Sequence, residues 1–406
     1  MELTRKAFLR GLGGLAAATG AAWSAPGRLV AAAQKAGEAG KRPTIATAEV
    51  FAFTIPQAVP MKIALGTPLT ADNVLVRLRT ADGVTGLGES APYSAVMGET
   101  QKGDLVLGAA LAGIVKGRDP FELPKIVEGL DAFTPHNPGI KAAFEMALWD
   151  ICGKIAGQPV YRLLGAYRES FETDQTVYLD TPAAMAEKAE AIAKKGFTHI
   201  KVKIGQAPDL DVARMKAVRE AVGPKVALRT DANQGWTVPD AIRALRALEP
   251  YGLEFCEQPV PHWDWTGLAR IRGSVPVPIM ADEGVNSPHD AITGLRHDAM
   301  DMINIKLMKT GGILQAVRLA HIADAAGVPC MLGCMSESRL ALTAAAHVVL
   351  SQRIVHYADL DAFLEHDVDP IVGGMQVKAG VVTVPDAPGL GLEIDPSFLR
   401  KLQPVG

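Results

Sequence analysis

The chain has 406 residues, 48% apolar and 21% charged, with a formal net charge of -3. That length leaves room for roughly two to three domains, and the charge balance supplies no basic face for nucleic acid. No apolar run approaches the ~20 residues of a membrane span, and Cys152, Cys256, Cys330 and Cys334 show no metal-type spacing.

Residues 1–43 read as an export signal and linker. Thr4-Arg5-Lys6-Ala7-Phe8-Leu9-Arg10 is a basic segment running into a mildly apolar stretch, Gly11 to Trp23. Small residues follow, with Ala31-Ala32-Ala33 as a candidate cleavage site. The order resembles a twin-arginine signal with Lys6 in place of the second arginine, which implies a periplasmic protein. A cytoplasmic protein with an amphipathic extension is the alternative.

Residues 44–165 read as an α+β unit. Thr44–Ile55, Asn73–Thr80 and Val84–Glu89 carry strand-like patterning, with Ala81-Asp82-Gly83 as a hairpin turn. From Gly103 to Gly165 the period turns helical. The unit offers few convergent ionisable groups, but its long loops, 58–70 and 89–99, are expected to close over a neighbouring site.

From 166 to 370 strands and helices alternate, with strands near Val177, Val202, Ala227, Phe255, Ile279, Ile303, Cys330 and Val355. The tail, 371–406, is rich in Gly and Pro and is expected to return to the first unit. Within the alternating region, Lys203, Asp231, Glu257, Asp282 and Lys306 each follow a short apolar run, at steps of 28, 26, 25 and 24 residues. One strand–turn–helix unit takes a couple of dozen residues, so each charge ends its own parallel strand. In a (β/α) barrel those ends converge on one mouth. The carboxylates of Asp231, Glu257 and Asp282, together with Lys201, Lys203 and Lys306, then make a metal-assisted acid–base site. All-oxygen ligands favour Mg²⁺, with Mn²⁺ as the alternative.

These residues resemble the enolase superfamily in its muconate lactonizing branch. The likeness extends to Gly86-Leu87-Gly88-Glu89, the helix Ala142–Gly157 and Pro388-Gly389-Leu390-Gly391. It implies a modified (β/α)7β TIM-type barrel with an N-terminal α+β capping domain, completed by the tail. Lys-x-Lys on the second strand with Lys on the sixth is similar to racemases, epimerases and lactonizing enzymes. Ala358-Asp359-Leu360-Asp361 is similar to dipeptide epimerases of the Ala-Glu type, in which such a pair of acids holds the substrate ammonium. Strand periodicity puts both carboxylates on one face. Cys334 and Met335, on the seventh strand, are expected to line the substrate pocket.

The resemblance implies Mg²⁺-dependent epimerisation of an L,L-dipeptide to the L,D form. Lys203 and Lys306 act as the two bases on opposite faces of an enolate, and Lys201 contacts the substrate carboxylate. Asn233 and Glu283 are expected to support the metal ligands. A lysine serves as a base only if its pKa is lowered, and the metal and the neighbouring ammonium are expected to lower it. Members that prefer Ala-Glu carry Arg where this chain has Gly66, leaving Lys62 as a candidate replacement. An N-acylamino acid racemase, a cycloisomerase or a succinylbenzoate synthase-type enzyme is the alternative within the superfamily. A periplasmic peptide-binding protein is the alternative outside it. A homo-oligomer is expected from the size of the barrel.

Overall fold

The computed structural model describes residues 42–405. The basic and apolar segments expected to act as an export signal fall outside them.

The chain begins with an antiparallel meander of β1 (Ile45–Pro56), β2 (Thr70–Thr80) and β3 (Thr85–Ser90). The longer helices that follow are α1 (Gln101–Val115), α2 (Leu123–Phe133) and α3 (Pro138–Ala156). Pro138 starts α3 with a φ already suited to a first turn. Gly157, at φ 65°, ends it in the left-handed region that favours glycine. Most of α3 is buried, including Ala142, Ala143, Phe144, Met146, Ala147 and Leu148. One side packs on the meander, which requires the glycines of β3. A Cβ at Gly86 would stand 2.1 Å from the Ala147 carbonyl oxygen, and one at Gly88 would stand 1.9 Å from that of Ala143. The Gly-x-Gly pattern is therefore a close sheet–helix approach.

The second layer is an all-parallel eight-stranded sheet: β4 (Gln175–Val177), β5 (His199–Lys203), β6 (Ala227–Asp231), β7 (Leu253–Glu257), β8 (Ile279–Ala281), β9 (Met302–Ile305), β10 (Cys330–Leu332) and β11 (Val355–Ala358). Each strand pairs with the next in sequence. The Asp174 amide donates to the Ala358 carbonyl at 3.3 Å, so the first strand meets the last. Intervening helices are α4 (Pro182–Lys194), α5 (Pro208–Val222), α6 (Val238–Leu248), α7 (Trp265–Arg272), α8 (Pro288–Arg296), α9 (Ile313–Ala326) and α10 (Arg339–Ser351). Thr181, Thr237, Asp264, Ser287 and Ser338 cap their helices by accepting from backbone amides of the first turn. The eight expected strand positions all fall on strands, and the architecture is the expected (β/α)7β barrel. The final strand, β12 (Pro404–Val405), pairs antiparallel with β1.

The first unit is richer in ionisable groups than its sequence suggested. Glu89, Glu99 and Asp104 are all buried. Glu89 accepts from Asn73 Nδ2 at 2.7 Å, from the Ser338 amide and hydroxyl at 2.8 and 2.6 Å, and from the Ala341 amide at 3.1 Å. It thereby fastens β3 to the start of α10. Asp104 accepts from Ser90 Oγ at 2.5 Å. Nothing in the sequence marks these acids as buried; packing does.

Candidate active site

Parallel register sets the site. Lys203 pairs with Asp231, and Asp231 with Glu257, at the C-terminal ends of β5, β6 and β7. Asp282 lies just past β8 and Lys306 just past β9, so the five charges at strand-length spacing converge. The three carboxylates are fully buried, and the lysines are nearly so.

Ammonium groups lie among the acids. Lys203 Nζ stands 2.7 Å from Asp231 Oδ2 and 3.2 Å from Asn233 Oδ1. Lys306 Nζ stands 2.8 Å from Asp282 Oδ2. Lys201 Nζ bridges Asp231, Glu257 and Asp359 at 3.2, 2.9 and 2.7 Å. Lys201 is 1% exposed, and its ammonium touches three carboxylates of the protein.

The electrostatics follow from these neighbours. Burial acts against the charged form of Lys306, but Asp282 and Glu257 outweigh it and hold the ammonium above the ordinary lysine range. Lys201 is held well above that range in the same way, by Asp359, Glu257 and Asp231 against burial. The acids that hold Lys306 charged, Asp282 and Glu257, are the same ones expected to bind the metal. Burial and then Asp231 push Glu257 up to about 8. Despite burial, Lys306 and Lys309 keep Asp282 far below the usual carboxylate range, and Lys203 and Lys201 lower Asp231. Glu283 is pushed up to about 7 by burial and then by Asp282; it accepts from Asn233 Nδ2 at 3.3 Å.

The donor set suits a hard divalent cation. It is all oxygen and fully buried, with three acids on adjacent strands. Glu257 Oε2 and Asp282 Oδ2 make no well-directed hydrogen bond, although lysine nitrogens stand 2.9 and 2.8 Å away. Among the described residues, the trio of candidate ligand atoms that closes within 4.8 Å is instead Cys334, Asp359 and Asp361. The Asp231, Glu257 and Asp282 trio is more open, with lysine ammonium groups against its oxygens.

Asp359 and Asp361 lie past the end of β11 rather than on its face. The Asp359 amide donates to the Leu332 carbonyl at 2.9 Å, which carries the ladder one step further and keeps the alternation. Both acids line the pocket that holds Lys203, Asn233, Lys306, Cys334 and Met335. Asp359 Oδ1 has no hydrogen-bond partner among the described residues. Asp361 Oδ2 accepts from the Thr176 amide at 2.6 Å. Burial and then Asp359 push Asp361 up to about 7, whereas Lys201 keeps Asp359 low against burial. Two adjacent acids of which one is hard to ionise form a receptor for a cation.

Several contributors escaped the sequence reading. Lys309 Nζ donates to Asp282 Oδ1 at 2.6 Å, to the Val285 and Asn304 carbonyls at 3.0 Å, and to the Asp282 carbonyl. Asn304 Nδ2 donates to Glu257 Oε1 at 2.7 Å. Asn304 lies two residues before Lys306, so strand alternation could have found it. The roof, Met61, Ile63, Pro68, Tyr93 and Val96, comes from the two expected loops.

Comparison with known proteins agrees with this geometry. Residues 45–165 match the family described as mandelate racemase / muconate lactonizing enzyme, N-terminal domain, and residues 184–398 match enolase C-terminal domain-like proteins. A hydrophobic dipeptide epimerase of Enterococcus faecalis is 41% identical, over 81% of this chain and 94% of its own. An L-Ala-D/L-Glu epimerase of Clostridium acetobutylicum is 38% identical, over 84% and 96%. The crystal structure of a dipeptide epimerase from Cytophaga hutchinsonii, complexed with Mg and D-Ala-L-Val, has a TM-score of 0.88 and 38% identity. It matches over 89% of this chain and 99% of that one.

Proposed function

Because the chain belongs to the mandelate racemase and muconate lactonizing enzyme family of the enolase superfamily, we propose that it is an Mg²⁺-dependent dipeptide epimerase. This is an isomerase that inverts the α-carbon of the C-terminal residue. The observation that carries the reading is one pocket lined by two lysines from opposite sides of a barrel and by two acids, Asp359 and Asp361. The lysines suit removal and return of a proton on opposite faces, and the acids suit the free ammonium of a dipeptide.

Asp231, Glu257 and Asp282 would hold the cation, which when bound supplies charge stabilisation for the substrate carboxylate as the α-proton leaves. Acids committed to a cation no longer serve Lys306, which then loses the anions that favour its charged form. One lysine in its neutral form takes the α-proton, and the electron pair delocalises into the carboxylate to give an enolate. The other lysine, as an ammonium, returns a proton to the opposite face. Lys201 keeps Asp359 ionised through its 2.7 Å contact.

Replacing Asp361 with Asn tests the reading. Removing one partner of a buried charged contact costs about 2–5 kcal/mol, so kcat/KM for an L,L-dipeptide should fall ~30-fold or more. N-acylamino acids have no ammonium group. Unchanged dipeptide activity in Asp361→Asn, or faster turnover of N-acylamino acids by the parent protein, would favour the racemase alternative.

A further inference from the structure

Resting on the dipeptide reading, we infer that the residue being epimerised carries an apolar, uncharged side chain. The charged groups of the pocket already have work: Lys203 and Lys306 face the α-carbon, and Asp359 and Asp361 face the ammonium. Thr176 and Cys334 flank the ammonium end, since the Thr176 amide donates to Asp361 and Cys334 Sγ stands 3.9 Å from Asp361 Oδ1. The rest of the pocket lining is Met61, Ile63, Pro68, Val96, Met335 and the aromatic Tyr93 and Tyr178, with the neutral Asn233 and Ser336. None of these can neutralise a carboxylate or an ammonium.

The loop that supplies the roof is fixed in one sense. Ile63 and Gly66 exchange backbone hydrogen bonds of 2.9 and 3.3 Å, and the Met61 amide donates to the Pro68 carbonyl at 3.3 Å. The Lys62 carbonyl accepts from the Leu179 amide at 2.9 Å, which ties this small hairpin to the barrel. Side chains then alternate: Met61 is buried, Lys62 exposed and Ile63 half-buried. Lys62 lines an adjoining outer groove with Lys188, on the far side of Tyr178, and is not among the residues that line the inner pocket. It therefore does not take the place of the arginine that Gly66 lacks.

A charged side chain under this roof would be buried without a partner, which is far costlier than burying an apolar one. A site built for apolar groups should therefore prefer L-Ala-L-Leu over L-Ala-L-Glu and L-Ala-L-Lys by ~100-fold or more in kcat/KM.

The experiment measures α-deuterium uptake from D₂O into these three dipeptides by the full chain with Mg²⁺. Uptake dominated by L-Ala-L-Leu is expected. Dominant uptake into L-Ala-L-Glu or L-Ala-L-Lys would overturn the apolar assignment while leaving the epimerase intact. Absence of uptake in all three and in a wider L,L-dipeptide set would overturn the dipeptide reading itself, and this inference with it. Ile63→Arg should shift the Glu-to-Leu ratio toward Glu by ~10-fold or more, whereas Lys62→Ala should leave it unchanged. A Lys62→Ala enzyme that loses Glu activity selectively would show that Lys62 reaches the pocket, and would overturn the inference.

Discussion

Lys309 lies behind Asp282, 1% exposed, and its three N–H donors are shared among one carboxylate oxygen and three backbone carbonyls. Burial lowers its pKa, with Asp282 acting the other way. Lys309→Met keeps much of the stem's volume and removes every one of those contacts. Breaking a buried ion pair from one side costs about 3–5 kcal/mol. The Asp282 carbonyl still accepts from the Val285 amide at 3.0 Å, so at most the Val285 and Asn304 carbonyls lose a donor, toward the low end of about 1–3 kcal/mol each. Two terms offset this sum: Lys306 still pairs with Asp282 at 2.8 Å, and no ammonium has to be desolvated. The net expectation is about 4 kcal/mol, a large share of the roughly 5–15 kcal/mol that holds a domain together. Urea denaturation with EDTA present, so that metal linkage is excluded, should show a lower midpoint at unchanged slope. Loss of a partner that orients a metal ligand should also weaken Mg²⁺ binding about 10-fold or more by calorimetry. A stability change below about 1 kcal/mol with unaltered Mg²⁺ affinity would refute the role assigned to these contacts.

The remaining predictions concern the first unit. Burial and then Asp104 raise Glu99 from 4.5 to about 8, and Glu99 accepts from the Gly139 amide at 3.2 Å. A raised carboxyl binds its proton more tightly in the folded state. Its contribution is therefore fully present below pH 4.5 and is lost as pH rises toward about 8. Glu99→Gln keeps the acceptor but cannot titrate, so it should flatten that decline by about 3 kcal/mol, discounted for screening. Urea midpoints for parent and variant across that pH range check this, and parallel curves would contradict it. Gly86→Ala should cost about 1–3 kcal/mol or more through overpacking, because its Cβ would meet the Ala147 carbonyl oxygen at 2.1 Å. A thermal midpoint equal to the parent's would show that α3 can move away.

The catalytic end of the barrel was legible because a parallel strand–helix unit has a fixed length. Lys203, Asp231, Glu257, Asp282 and Lys306 recur at that length and so share one level. Gly86 and Gly88 were legible as a motif, though the reason, contact with the carbonyls of α3, needed the packing. The roof was not legible in detail. Met61, Ile63, Tyr93 and Val96 meet Lys203 and Lys306 across more than a hundred residues of chain, with no period to announce the meeting. The ion pairs of Lys201 and Lys306 were not legible, because they depend on which acids are nearest in space. Glu99 and Asp104 were passed over because nothing in their polar stretch marks them as buried, and Glu89 was legible only as part of the Gly86–Glu89 motif.

The central claim is that Lys203 and Lys306 exchange the α-proton from opposite faces. It is tested most directly by following deuterium from D₂O into each epimer of an apolar dipeptide, with Lys203→Ala and Lys306→Ala measured beside the parent. Both variants should lose epimerisation while each still exchanges the α-proton of one epimer only, the two variants choosing opposite epimers. Retained epimerisation in either variant, or exchange of the same epimer by both, would contradict it.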